Sequence, residues 1–252
     1  MLLVIVACVG MAIVALPIAG LIARSPWTRI AEIATDEATL EALRLSVVVS
    51  TAAALLALVT GFPIAWLLAR VSFRGQVIVR ALVVLPLVMP PVVAGVGLLA
   101  AFGRRGIVGG WLDRWFDVQI TFTTGAAVLA ATFVALPLAV LALESGLRSI
   151  DERLELAAAT LGASRWYALR RVVVPMLGPQ IAAAAVLAWA RALGEFGATI
   201  TFAGNLSGRT QTLPLAVFER LQTDPAAAFA LSVVLIALAL TVIIALRGRL
   251  LR

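Results

Sequence analysis

The sequence contains no histidine and no lysine, and its one cysteine, Cys8, lies inside an apolar run. A single thiol cannot close an intrachain disulfide, and a chain without histidine or paired cysteines assembles neither an ordinary zinc site nor imidazole catalysis. A phosphate-cradling loop of the form Gly-x-x-x-x-Gly-Lys-Ser/Thr requires a lysine, so nucleotide energy cannot enter through this chain. Charge is also scarce. Asp, Glu, Lys and Arg make up 13% of the residues, against about 25% in an ordinary soluble domain. The net charge of +7 comes from arginine alone, and in so apolar a chain it speaks for membrane orientation rather than for nucleic acid.

What is present is hydrocarbon: 63% of the 252 residues are hydrophobic, with a mean hydropathy of +1.09. A helix that crosses a bilayer needs about 20 apolar residues. Six stretches qualify, at about residues 1–23, 42–69, 77–103, 121–146, 172–203 and 226–246. The expected fold is an all-α integral membrane protein with six transmembrane helices forming a single domain over residues 1–252. The first stretch lacks a basic leader and exceeds the apolar core of about 7–15 residues in a secretion signal, so it reads as a retained helix. The fifth is overlong, which implies tilt or a first turn lying in the interface.

Six spans put both termini on one side, and basic residues mark the cytoplasmic side. With cytoplasmic termini, the inner segments hold Arg70, Arg74, Arg80, Arg148, Arg153, Arg165, Arg170, Arg171, Arg247, Arg249 and Arg252, which is 11 of the 20 arginines; eight lie outside and Arg191 is within a span. Eight of the 13 acids also fall outside, which leaves that side near neutral. This orientation puts the longest polar interval, 148–171, in the cytoplasm.

That interval carries its own helix signals. Ser149-Ile150-Asp151-Glu152 has the spacing of a capping box. Leu154, Ala157, Ala158 and Leu161 then form a narrow face of mostly small apolar residues. Gly162 falls where a left-handed C-cap is expected. Ser164 can cap a second short helix carrying Arg165, Trp166, Leu169, Arg170 and Arg171 before Pro175. Taken alone, these residues fit either a membrane-surface segment with arginines on anionic headgroups or a two-helix knob whose alanines let another protein approach closely.

The stretch "ELAAATLG", followed after nine residues by "VVVP", resembles the EAA loop of ABC-transporter permeases. Gly162 matches the loop glycine, Ala157 and Ala158 the small pair within one position, and Val172, Val174 and Pro175 the terminal element; the acid stands at Glu155, one residue ahead of the family position, which holds Leu156. "WARALGEFGATITFAGN" at 189–205 and "LPLVMPPVVAG" at 85–95 resemble the molybdate-type permeases, with sulfate-type permeases as near neighbours. The resemblance implies the type I importer architecture, a homodimer of this chain, two cytoplasmic ABC ATPase subunits and an external substrate-binding protein. It implies that Glu155, Ala157, Ala158, Gly162, Ala163, Ser164, Arg165 and Pro175 belong to the ATPase-coupling surface. No cofactor is expected on this chain; ATP and magnesium belong to the ATPase. The implied cargo is a tetrahedral oxyanion, molybdate first, with tungstate and sulfate as alternatives.

Candidate pathway residues come from polar and helix-breaking groups inside spans. Arg191 and Glu195 are one turn apart, and an intramembrane charge costs about 2.5–3.5 kcal/mol on insertion scales, so such residues face a cavity or each other. They form a structural pair, or Arg191 attracts the anion. Thr199 and Thr201 offer hydroxyls without fixed charge, as pathway donors or as helix-packing groups. Pro90 and Pro91 interrupt the backbone ladder before Gly95, which marks 86–95 as a gate segment or a structural break. The segment 204–221 reads as a turn-rich loop and a short helix near Pro214, for contact with a binding protein or for the interface. A secondary transporter is the rival class, but it would need coupling-ion ligands on paired broken helices. A membrane enzyme would have only the Arg191–Glu195 pair for its chemistry.

Overall fold

The computed structural model describes residues 1–245 with their side chains and the backbone as far as Leu250. In chain order its helices are α1 (Leu2–Arg24), α2 (Ile30–Thr35), α3 (Glu37–Arg70), α4 (Gln76–Val88), α5 (Pro91–Phe102), α6 (Gly109–Phe116), α7 (Thr124–Ser149), α8 (Arg153–Thr160), α9 (Arg165–Ala168), α10 (Val174–Met176), α11 (Gly178–Leu193), α12 (Gly197–Phe202), α13 (Leu213–Thr223) and α14 (Pro225–Leu250); a π-helical turn, Leu169–Val173, links α9 to α10. Arg247, Arg249 and Arg252, which entered the charge count, lie outside the residues whose side chains are described, as does the last residue of the expected sixth span.

Among the described residues, α1, α3, α7 and α14 are each long and apolar enough to cross a membrane, and two bent pairs bring the number of candidate spans to six. Pro17, Pro63 and Pro137 lie inside α1, α3 and α7 without ending them, as membrane helices tolerate when neighbours satisfy the freed carbonyls.

Two of the expected spans are broken, the first of them at the Pro90–Pro91 pair where an interruption was expected. Within 77–103, α4 and α5 meet at a bend of 120°. The cause is local: a residue before proline is driven out of the helical region, and both Met89 (ψ 133°) and Pro90 (ψ 136°) are extended. Within 172–203, the segment Arg165–Met176 and α11 are bent by 69°. The first turns of the overlong stretch therefore continue the second short helix of the polar interval, and the apolar run proper starts at Gly178. The π-helical turn ends at Val173, two residues before Pro175, whose ring has no N–H to give. A second interruption separates α11 from α12 at Gly194–Phe196.

α7 is the centre, packed on α3 and α11, which also pack on each other. Their contact faces are alanine: Ala53 and Ala57 on α3, Ala130, Ala131 and Ala135 on α7 and Ala188 on α11 are fully buried. In lipid, burying larger apolar groups gains little because acyl chains are equally apolar, so close approach of small residues supplies the packing. A second cluster, including Leu68, Leu143, Leu147, Val173 and Leu177, closes one end of the bundle beneath the polar interval. A third, with Ile33, Ala42, Leu213 and Leu231, closes the opposite end. α1 has no buried residue and lies along α14.

Candidate coupling and translocation sites

The polar interval folds into two short helices with a tight turn. Gly162 has φ +84°, and the turn is a Schellman motif: Gly162 N–H donates to the Ala159 carbonyl and Ala163 N–H to that of Ala158, each at 3.0 Å. These bonds satisfy carbonyls that the helix end would otherwise leave free. Ser164 caps α9, its Oγ accepting from Tyr167 N–H at 3.2 Å. Ala158, Leu161, Gly162, Ser164, Tyr167 and Val172 line a shallow concavity between the two helices. Leu161 is 88% and Trp166 65% exposed, so the apolar knob points away from the bundle. Arg165 lies on that outer surface, Ala157 is exposed, Ala163 half-buried and Pro175 exposed at the base. Arg170 stacks its guanidinium over Trp166, 5.7 Å from the ring centroid.

The start of this unit differs from the expected capping box. Ser149 closes α7 instead, its Oγ donating to the Gly146 carbonyl at 2.7 Å. Asp151 is the residue that caps the next helix, accepting from Arg153 N–H at 2.9 Å. Glu152 is thereby freed to reach the bundle. Its Oε1 accepts from Arg70 Nη1 at 3.0 Å, and Glu155 Oε1 lies 3.1 Å from Arg70 Nη2. The acid of the EAA-like stretch therefore faces α3.

A buried acid was missed by the sequence reading. Glu144, 5% exposed near the end of α7, accepts from Arg148 Nε at 2.9 Å and also pairs with Arg80 on α4. The signal existed: an acid within an apolar run, one turn before an arginine, is seldom left unpaired.

The pathway candidates converge. α5 and α12 lie against each other, close enough that a Cβ placed on Gly95 would sit 2.5 Å from Thr201 Cβ, and one placed on Gly197 would overlap Pro91. Gly197 was not singled out from sequence, because its need arises only from this approach. The two broken spans thus meet at their breaks, with Pro90 offering its carbonyl to Ala94 N–H at 3.0 Å. Thr199 is 1% exposed, and Thr201 Oγ1 donates to the Gly197 carbonyl at 2.8 Å. In this conformation both threonines serve packing.

Glu195 holds the second break together. It is 3% exposed; Oε2 accepts from Arg191 Nη1 and Oε1 from Ala198 N–H, both at 2.8 Å. One carboxylate therefore joins the end of α11 to the first turn of α12. The Arg191 side chain keeps 31% of its surface exposed. Phe196 packs against Phe218 of α13, the rings tilted by 50° with centroids 5.0 Å apart, so an aromatic of α13 covers the break. The loop before α13 is braced as well: Asn205 at 2.9 Å and Gln211 at 2.5 Å both donate to Glu219 Oε2.

Residues 61–252 match the family described as "Binding-protein-dependent transport system inner membrane component". The chain is 43% identical to the molybdenum transport system permease protein ModB of Mycobacterium bovis, over 96% of this chain and 92% of that protein. Identity is also 43% to the ModB protein of Escherichia coli K12, over 81% and 89% of the two chains. In structure it resembles a bacterial alginate ABC transporter, crystallised in complex with an alginate pentasaccharide-bound periplasmic protein, with a TM-score of 0.78 at 15% identity, covering 97% of this chain and 91% of that one.

Proposed function

The chain belongs to the binding-protein-dependent transport system inner membrane components, and we propose that it is the permease through which molybdate crosses the membrane. It is a multi-pass inner-membrane transport subunit of an ABC importer with the type I permease fold. Molybdate is favoured over sulfate and tungstate by the molybdenum permease relatives together with the stretches at 85–95 and 189–205. The working unit is a homodimer with two cytoplasmic ATPases, which bind ATP and magnesium, and an external binding protein that selects the anion.

The observation that carries this reading is the arrangement of the ends. At one end, two exposed short helices form a knob continuous with α7 and, through the bent segment, with α11. α11 leads to the Gly194–Phe196 break, where α12 presses on α5. Closure of an ATPase pair on the knob would move α7 and α11 as rigid bodies and change how the two breaks interlock. The anion then passes a pair whose carboxylate tempers the arginine, which suits transport, since binding at a narrow point must be weak enough for release.

The test is uptake of labelled molybdate into proteoliposomes holding the permease with its ATPase and binding protein. Uptake is expected only with ATP and all components present. Uptake driven by an ion gradient without the ATPase would make the chain a secondary transporter. A preference for sulfate with its own binding protein would reassign the cargo.

The proposed orientation has both termini and the 148–171 segment in the cytoplasm. In a Cys8→Ala background, cysteine at Ser164 should resist an impermeant thiol reagent added to intact cells, and cysteine at Ser207 should react. The reverse pattern would put the knob outside, out of reach of any ATPase.

A further inference from the structure

α8 has no buried residue, and it packs chiefly on α9 and the π-helical turn that follow it in the chain. It therefore offers the bundle no apolar face to hold. Among the described ion pairs and side-chain hydrogen bonds, the acids of its first turns are met by one side chain, that of Arg70, the last residue of α3. The Arg70 side chain is 9% exposed. Nη1 donates to Glu152 at 3.0 Å and Nη2 to the Ile150 carbonyl at 3.1 Å, with Glu155 beside Nη2 at 3.1 Å. The guanidinium is largely desolvated while the Glu152 side chain is 69% and the Glu155 side chain 26% exposed, so the hydrogen bond to the Ile150 carbonyl and the less exposed Glu155 fix position better than the outer Glu152 pair does.

The helix end that bears Arg70 is itself anchored. The Leu68 carbonyl accepts from Arg148 Nη2 at 2.7 Å and Gln76 Nε2 at 2.8 Å, and Arg148 is held by Glu144. From there α3 runs back toward the opposite end of the bundle. Ser46, 24 residues before Arg70 and so about 36 Å away at 1.5 Å per residue, has its hydroxyl accepting from Leu213 N–H at 2.7 Å, at the first residue of α13.

We propose that Arg70 is a positioning residue that ties α8 to α3, making α3 a second, non-covalent route between the ATPase knob and the outer segment 204–223. The first route is the covalent one through α7 and α11. This inference rests on the coupling reading above. It assigns Glu152 and Glu155 to an internal tether and leaves ATPase docking to the alanine face and the turn.

The experiment uses the assembled importer in proteoliposomes and measures how far molybdate-loaded binding protein stimulates ATP hydrolysis, and how many molybdate ions enter per ATP. Arg70→Gln is expected to lower stimulation about tenfold, within the range of ordinary site-to-site coupling. The double variant Glu152→Gln/Glu155→Gln should reproduce that loss, and adding Arg70→Gln to it should cost nothing more, because all three substitutions break one link. Arg70→Lys should restore part of the stimulation. Full stimulation in Arg70→Gln would overturn the proposal, as would a loss confined to Glu155→Gln, which would turn that acid toward the ATPase. A fall in the amount of assembled complex with an unchanged ratio of ions to ATP would reduce Arg70 to a structural brace, and also overturn it. If Gly162→Val uncouples the importer while Arg70→Gln does not, only the tether fails; if Gly162→Val is silent, the coupling reading itself fails.

Discussion

Gly162→Val is expected to lower ATP-driven molybdate uptake about tenfold or more, a typical coupling loss, while the protein still inserts into the membrane. At φ +84° a β-branched residue is strained by about 1–3 kcal/mol, and the Schellman bonds of Gly162 and Ala163 hold only in that conformation. Relief of the strain must rotate α9 relative to α8 and reshape the concavity between them. Among the described residues, beyond the two chain neighbours, no atom lies within 4 Å of where a Cβ would stand, so backbone geometry, not crowding, carries the effect. That separates two substitutions. Gly162→Asn, which tolerates the left-handed region, should retain most uptake. Equal losses in both variants would point to a steric contact with the ATPase, and wild-type uptake in Gly162→Val would remove the turn from coupling altogether.

The second large effect is expected at the α11–α12 break. Removing the cation from a buried pair leaves a charge without compensation, at a cost of about 3–5 kcal/mol, whereas removing both charges costs much less. Glu195 is almost wholly buried, so Arg191→Gln should be the most destabilising single change, read as a lowered midpoint of thermal unfolding in detergent. Glu195→Gln should be milder: its amide oxygen can still accept from Ala198 N–H, and Arg191 has solvent access. In the double variant, stability should return close to that of the parent. Uptake measured on the same three proteins then assigns the role. Recovery of uptake with stability in the double variant identifies the pair as the clasp of the break. Restored stability with uptake still low identifies Arg191 as an anion contact. Three variants indistinguishable from the parent would refute both roles.

Much of the coupling segment was legible because its signals are local. A positive-φ glycine after a helix and a serine cap at Ser164 need only neighbours in sequence, as does the proline that opens α13 in the outer segment, and the structure has each of them. The capping box at Ser149 failed for a tertiary reason. Ser149 is still within α7, and Glu152 finds a stronger partner in Arg70, which is 82 residues away in the chain. Hydropathy located the apolar stretches, and Pro90 and Pro91 marked an interruption in one of them, but neither showed the bends of 120° and 69°. Length and composition are alike for a straight helix and for a pair such as α4 and α5; the difference lies in consecutive extended residues at Met89 and Pro90 and in what packs against them.

The sequence by itself determined that this chain lives in a membrane, that it has no lysine for a phosphate-cradling loop of its own, and that the interval after the fourth span folds into short capped helices. Those conclusions follow from composition, the missing lysine and short-range caps, none of which depends on the rest of the fold. The tertiary structure alone decided that Gly95 and Gly197 let the two broken spans touch, that Glu195 clasps one of the breaks, and that Arg70 and Glu144 gather charges from distant helices. These depend on which helix faces come together, and in lipid that is set by close approach of small residues and by pairing of buried charge, neither of which hydrophobic periodicity encodes.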